Sequence, residues 1–361
     1  MLKVFLTGGT GFIGKPVLKR LLARGDEVWA LARSDSSAAA VEALGAHAIR
    51  GDLDDADVLR AAMTGCDVVF HVAGWYKLGG NDPARMYGTN VRGARNVLKT
   101  AFEVGVPRII HTSSVAVNGD THGQLVDETF FQGGPFLTDY DRSKWQAHYE
   151  VALPLIQQGA PIIIVMPGVV YGPGDHSLVG EFLRWFWRGW LPVLPGPETM
   201  LAYTYVDDVA EGLILAADKG KPGESYIIAG PALTMAEWIG LASEISGKQA
   251  PLISIPAAQL LPLKPVIGAL EKLVPLPMLI CRDSVAILGA SYIARAHKAR
   301  IELGWTPRPL HEGMRETLDA LAAMQPPAPP AAVRRKRLAA VAIIGALGMI
   351  ILWRLRRRRK A

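Results

Sequence analysis

The run Thr7-Gly-Gly-Thr-Gly-Phe-Ile-Gly14 constrains the chain most, because it directly follows a strand-like segment, Leu2 to Leu6, and opens a helix-compatible one. In that context glycines have distinct duties: Gly8 permits a tight turn, Gly11 lets backbone approach an anion, and Gly14 lets the helix pack closely on the strand. Phe12 and Ile13 lie at the helix start, whose free N–H groups and positive dipole end suit a pyrophosphate. The pattern therefore predicts a dinucleotide cradle in an α/β fold.

Residues 1–172 keep the rhythm such a fold requires. Short β-branched runs (Val4–Leu6, Glu27–Leu31, Ala48–Arg50, Val68–His71, Arg108–His111, Pro161–Val165) alternate with helix-compatible stretches near 14–24, 36–44, 54–64, 84–104 and 139–158. Alternation at this spacing implies a parallel sheet covered on both faces. Ile162 to Val165 is apolar at every position, as a strand buried on both faces must be. We expect a doubly wound parallel sheet over 1–172, joined by parts of 200–230. A smaller mixed substrate-binding region should follow over 173–324, with helices near 207–218, 234–246, 257–273 and 311–323 and a strand at Ser225–Ile228. Residues 325–333, rich in proline, read as a stiff spacer.

Charge is distributed unevenly. The net charge is +6, yet residues 334–361 hold ten Lys/Arg and no acidic residue, so residues 1–333 carry −4. A nucleic-acid-binding body is excluded on that balance, and a basic tail is left to explain. Two cysteines, Cys66 and Cys281, are too few for a disulfide framework and suit a reducing compartment. The eight histidines are scattered without metal-ligand spacing, so no metal is expected, and His71 and His111 read as packed strand-end residues.

Two positions refine the cofactor. Arg33-Ser34 ends the second strand, where an acidic residue would hold an adenosine ribose hydroxyl; a cation there suits a 2′-phosphate and favours NADP over NAD, unless Arg33 is simply a solvated arginine. Asp52, in Gly51-Asp52-Leu53 after the third strand, is placed to accept from the adenine amino group or to cap a helix beginning near Asp54.

The chemistry is carried by Tyr140-Asp-Arg-Ser-Lys144 at the start of a helix. Side chains four apart share a helical face, and an ammonium beside a phenol favours phenolate, so Tyr140 can exchange a proton with a substrate oxygen. His111-Thr-Ser-Ser114 ends the fifth strand and would aim a hydroxyl at that oxygen.

Taken together, TGGTGFIG, HVAG (71–74, including Ala73), TNVRGARNVL (89–98), SSVAVNG (113–119), YDRSK, PGVVYGPG (167–174) and YVDDVAEG (205–212) make residues 1 to about 320 resemble an extended short-chain dehydrogenase/reductase, with its Rossmann fold. Members similar to dihydroflavonol reductases and 3β-hydroxysteroid dehydrogenases match best. The resemblance implies that Ser114 rather than Ser113 polarises the substrate oxygen. It makes Tyr140 the acid/base, and Lys144 its partner and a ligand of the nicotinamide ribose. Asn90 is implied as a supporting residue, and Pro167 as a neighbour of the nicotinamide.

The same family includes nucleotide-sugar epimerases and dehydratases, which typically carry an arginine shortly before the VDDVA stretch. Here Leu201 stands in that place, with Arg184 and Arg188 as nearby substitutes. Trp75-Tyr76 and the run Trp185–Trp190 suit an apolar ligand, although such rings commonly fill a core. We therefore expect oxidoreduction of a hydroxyl or ketone on a fairly apolar small molecule, with nucleotide-sugar chemistry as the alternative. A cofactor sensor without chemistry is disfavoured by the joint presence of Ser114, Tyr140 and Lys144.

At the C-terminus, Arg334-Arg-Lys-Arg337 precedes sixteen uncharged residues, Leu338–Trp353, and six further Lys/Arg. As a helix the apolar run would measure about 24 Å against a hydrocarbon core of roughly 30 Å. We expect this tail to attach the protein to membrane lipid, spanning it or lying in its interface, with the catalytic body cytoplasmic. The helices at 84–104 and 139–158 are a candidate homodimer face.

Overall fold

The computed structural model describes residues 1–324 except 77, 79–81 and 275. The proline-rich spacer and the basic apolar tail lie outside the described residues. Among the described residues no helix is long and apolar enough to cross a membrane.

Seven strands form one parallel sheet: β1 (Lys3–Thr7), β2 (Glu27–Ala32), β3 (His47–Arg50), β4 (Val68–His71), β5 (Ile109–Thr112), β6 (Ile162–Pro167) and, later in the chain, β10 (Ser225–Ile228). Their order is β10-β6-β5-β4-β1-β2-β3, and every pairing is parallel. Helices cover both faces, so β4, β5 and β6 are buried at every residue, whereas the edge strand β3 is exposed at both ends. The chain winds outward from β1 in one direction to β3, then returns to β4 on β1's other side. That reversal parts the loops leaving β1 and β4 and opens a crevice at the carboxyl edge, where ligands bind in open α/β sheets.

Between β6 and β10 the chain leaves the large sheet. Gly168 makes the crossing: a Cβ there would sit 2.4 Å from the Ala202 carbonyl oxygen, so the bend needs glycine. Beyond it, β7 (Val169–Tyr171) and β13 (Ser291–Tyr292) run parallel to β9 (Met200–Tyr205), and β11 (Ala232–Thr234) runs antiparallel to it. A two-stranded piece pairs β8 (Val193–Pro195) with β12 (Ile253–Ile255). The helix Val206–Lys219 returns to pack on the large sheet and on the helix Gly14–Ala23. A second apolar core lies under the small sheet, where Tyr203 stacks on Trp238 at 3.9 Å between nearly parallel rings.

The helices expected near 84–104 and 139–158 each contain a π-helical turn, at Gly88–Gly93 and Gln146–Ala152, and these turns pack against each other beside the site. The expected helix over 257–273 is broken: Pro262 and Pro265 divide it into Ala257–Leu260, a 3-10 turn and Lys264–Glu271, because proline lacks the amide hydrogen that a helix interior needs. Around the tryptophan-rich run the structure adds a helix, Leu178–Trp187, capped by Ser177.

Candidate active site

A continuous cavity of about 770 Å³ runs from the end of β2, over the glycine turn, to the junction with the small sheet. The turn floors it. Gly8 takes a φ of +76°, and a Cβ there would lie 2.7 Å from the Ala73 amide nitrogen; one on Gly14 would lie 2.0 Å from the Gly8 carbonyl oxygen. Gly14 is thus required by the turn itself, more than by strand packing. Gly11 meets only the Gly8 oxygen, at 3.1 Å, so its outer side faces the cavity. The helix Gly14–Ala23 begins with no side-chain cap and no acidic residue in its first turn; Lys15 N donates to the Gly11 carbonyl at 3.0 Å and Pro16 has no N–H, so the Gly14 amide is the one the helix offers an anion. Thr7 clamps the crevice, its Oγ1 accepting from Ala73 N at 3.2 Å and sharing a 2.8 Å hydrogen bond with His71 Nδ1. A glycine cradle ending at a free helix terminus fits a dinucleotide.

The far end of the cavity is lined by Arg33, Ser34, Ser37, Asp52 and Leu53. Asp52 does not cap the next helix. Asp55 does, accepting from Val58 N, while Asp52 turns back on the Leu53 amide at 2.6 Å. The neighbouring acid, Asp35, points to solvent and pairs with Arg50 at 3.3 Å.

At the other end, Ser114, Tyr140 and Lys144 line the same space. Thr138 and Asp141 cap the helix Asp139–Trp145 reciprocally, which fixes Tyr140 in its first turn and Lys144 one turn on. The two serines divide as the resemblance implies. Ser113 Oγ is spent on His148 Nδ1 at 3.0 Å, whereas Ser114 accepts from the Ala116 amide and lines the cavity with Tyr140. Asn90, on the π-helical turn, grips Trp75 through N and O and donates to Ser143 Oγ at 2.9 Å; Ser143 in turn donates to the Tyr140 carbonyl.

The electrostatics depart from expectation in one respect. Burial pushes the Tyr140 phenol up to about 12, and the group opposing that rise is Ser114, not Lys144. The Lys144 ammonium donates to the Thr112 carbonyl at 2.8 Å, and burial brings its pKa down to about 8. Tyr140 is therefore held protonated at neutral pH and is equipped first as a proton donor. His71, pushed down to about 3, and His111, well below its ordinary value, are kept neutral by burial and by the nearby ammonium. Their rings stack 5.5 Å apart beneath the site. No cluster of three or more His, Cys, Asp or Glu able to hold a metal occurs among the described residues.

Pro167 does not line the cavity. It pairs with Ile228 inside the large sheet, and Gly168, Val169 and Val170 form the wall instead. The tryptophans at 185, 187 and 190 are absent from the lining too: Trp185 donates to Glu181, Trp187 meets Lys248, and Trp190 meets Arg188. Trp75 and Tyr76 do line it, with the Tyr76 ring edge-on to Tyr140 at 4.7 Å. The remaining substrate wall consists chiefly of Leu78, Val179, Phe182, Leu201, Met235 and Leu288. Sequence reasoning missed most of these, since scattered aliphatic residues carry no signal beyond core packing. Arg184 bonds Glu181 and the Asp175 carbonyl, away from the cavity, and the lining cations are Arg33 and Lys144 alone among the described residues.

The model of the NAD-dependent epimerase/dehydratase family matches residues 4–229. The chain belongs to that family. It is an NAD(P)-dependent oxidoreductase of the extended short-chain dehydrogenase/reductase type. The chain is 32% identical over 328 residues to a 4-hydroxy-2-methyl-3-oxo-4-farnesyl-3,4-dihydroquinoline-1-oxide ketoreductase of Stigmatella aurantiaca, covering 89% of this chain and 96% of that one. It is 33% identical to sterol demethylase protein B of Methylococcus capsulatus over 70% of this chain and 76% of that one. Among solved structures, gox2253 superposes with a TM-score of 0.78 at 32% identity, covering 90% and 98% of the two chains. A Thermus thermophilus UDP-glucose 4-epimerase complexed with NAD superposes at 0.70 with 25% identity, covering 90% and 100%.

Proposed function

We propose that this family member interconverts a hydroxyl and a ketone on a fairly apolar small molecule, with NADP as cofactor and Ser114, Tyr140 and Lys144 as the chemical site. The observation that carries the reading is the substrate wall: aliphatic and aromatic side chains make up most of it, and apart from Lys144 no lysine or arginine among the described residues faces that half to hold a diphosphate. Leu201, in the place where nucleotide-sugar members typically carry a cation, is a buried part of that wall. The names of the Stigmatella and Methylococcus relatives, a ketoreductase of a farnesylated ring and a sterol demethylase protein, point the same way.

In the reducing direction Ser114 and Tyr140 donate hydrogen bonds to the substrate carbonyl oxygen and stabilise charge as it develops there. The reduced nicotinamide supplies the hydride. Tyr140, protonated at neutral pH, then gives its proton to that oxygen. Lys144, mostly charged below about 8 and held on the Thr112 carbonyl, lines the same pocket and would hold the nicotinamide ribose. Asn90 and Ser143 hold the first turn of the catalytic helix in place. The Arg33 cation, lining the cavity at the end of β2, supports a 2′-phosphate, while the Ser34 and Ser37 hydroxyls beside it hold each other in a helix cap.

The test is turnover of the purified full chain with NADPH, assayed against a panel of sterol-like and prenylated ring ketones and, in parallel, UDP-sugars. Reduction of apolar ketones is expected; turnover of UDP-sugars alone would replace the reading with epimerase or dehydratase action. We also propose that residues 334–361 attach the protein to membrane lipid with its body on the cytoplasmic side. Recovery of the full chain in the soluble fraction at low salt would contradict attachment.

A further inference from the structure

Half of the exposed large apolar side chains fall in one stretch. Of fourteen among the described residues, seven lie between 252 and 274, including Leu252 at 85% and Leu273 at 80% exposure. On the helix Lys264–Glu271 and its last turn, Val266, Leu270, Leu273 and Val274 recur at the spacing of a single helical face, yet that face is turned outward. Ile267, at the flank of the stripe, is buried. An outward apolar stripe of this kind marks an interaction surface.

Charge and placement identify the occupant. Lys264 and Lys272 flank the stripe, and neither is ion-paired to a carboxylate among the described residues. Glu271, the only acidic residue of the stretch, accepts from the Arg282 amide. Cations beside an outward apolar face suit an anionic bilayer, into which lysine stems extend while their heads stay at the phosphates. The same chain carries ten further Lys/Arg around an apolar run at residues 334–361, which suits the same lipid surface. Behind the stripe, the helix packs on Arg282–Ala286, and the residues that follow, Ile287 and Leu288, line the substrate end of the cavity.

We propose that the 264–274 face rests in the interface of an anionic membrane, a second contact made by the catalytic body itself, which sets the substrate end of the cavity toward the bilayer. The proposal goes beyond the assigned reaction and does not depend on it. Leu273→Cys and Val266→Cys, made separately in the full chain, provide sites for an environment-sensitive fluorophore, since Cys66 and Cys281 are buried. Ile301→Cys, exposed on a turn that packs against helix Val206–Lys219, is the control. Each is mixed with phosphatidylcholine–phosphatidylglycerol vesicles carrying brominated acyl chains. Quenching of about twofold or more at 266 and 273, with little at 301, is the expected result for an interfacial face. Equal quenching at all three sites, or none at 266 and 273 while the chain sediments with vesicles, would overturn the proposal by leaving the tail as the sole contact. Failure to sediment would overturn it as well, as would emission at 273 that depends on protein concentration and not on vesicles, the mark of a second copy.

Discussion

The two halves of the cavity are built from different material. The cofactor half is made of backbone: glycine turns, strand ends and a helix terminus, each demanding particular residues at particular spacings. The substrate half is made of side chains drawn from five separate stretches between Gly168 and Tyr292 and from the loop after β4, where any apolar residue of fitting volume serves. Backbone sites tolerate little change and keep the same ligand. Side-chain sites can be relined one residue at a time, which is how a common cradle serves different substrates.

The sharpest test of this contrast lies where the halves meet. Tyr140→Phe removes the proton donor without disturbing the cradle. It should lower kcat by about 10²–10⁴ while NADPH affinity, read by fluorescence titration, stays unchanged; a parallel loss of affinity would blur the division.

Next in size is a break in the cradle itself. Gly14→Ala places a methyl carbon 2.0 Å from the Gly8 oxygen, so cofactor binding should fail and thermal unfolding should shift by the equivalent of about 3 kcal/mol or more. A volume-conserving change on the substrate wall, Leu201→Met, should cost under about 1.5 kcal/mol. Similar costs at the two positions would break the comparison.

Arg33→Ala should cut the preference for NADPH over NADH by about 10- to 100-fold, as expected for losing a charge-assisted contact of roughly 1.5–3 kcal/mol. Comparing kcat/KM for the two cofactors measures it, and an unchanged ratio would return Arg33 to the solvated surface.

A further effect concerns pH. Burial brings Lys144 from 10.5 down to about 8 in the folded protein, so between those values the unfolded chain binds more protons and stability rises with pH. Below about 8 the buried ammonium is a standing cost. Urea titrations across that window should show Lys144→Met abolishing this part of the slope, whereas kcat of the unaltered enzyme should decline above about 8 as the charge is lost.

What was legible in the sequence follows the same divide. The alternation of strands and helices, the Gly8–Gly14 turn and the spacing of Tyr140 and Lys144 could be read directly, because periodicity, φ > 0 and helical facing leave marks on a single sequence. Pro167 was misplaced because proximity along the chain to the site does not say which way a residue faces; its neighbour Gly168 turns the wall. The Trp185–Trp190 run drew attention by composition, yet its rings pack outside the cavity while the unremarked Phe182 enters it. Nothing in residue type could show that the Lys144 ammonium would settle on the Thr112 carbonyl, since that depends on where β5 ends relative to the catalytic helix.

Hydride tracing tests the central claim most directly. The full chain is supplied with NADPH deuterated at its transferable position and with an apolar ring ketone, and the product is examined by mass spectrometry and NMR. Deuterium on the new carbinol carbon, lost in Tyr140→Phe, is the outcome this account requires. Label that never leaves the cofactor for any ketone, while a UDP-sugar is inverted by the same preparation, would contradict it.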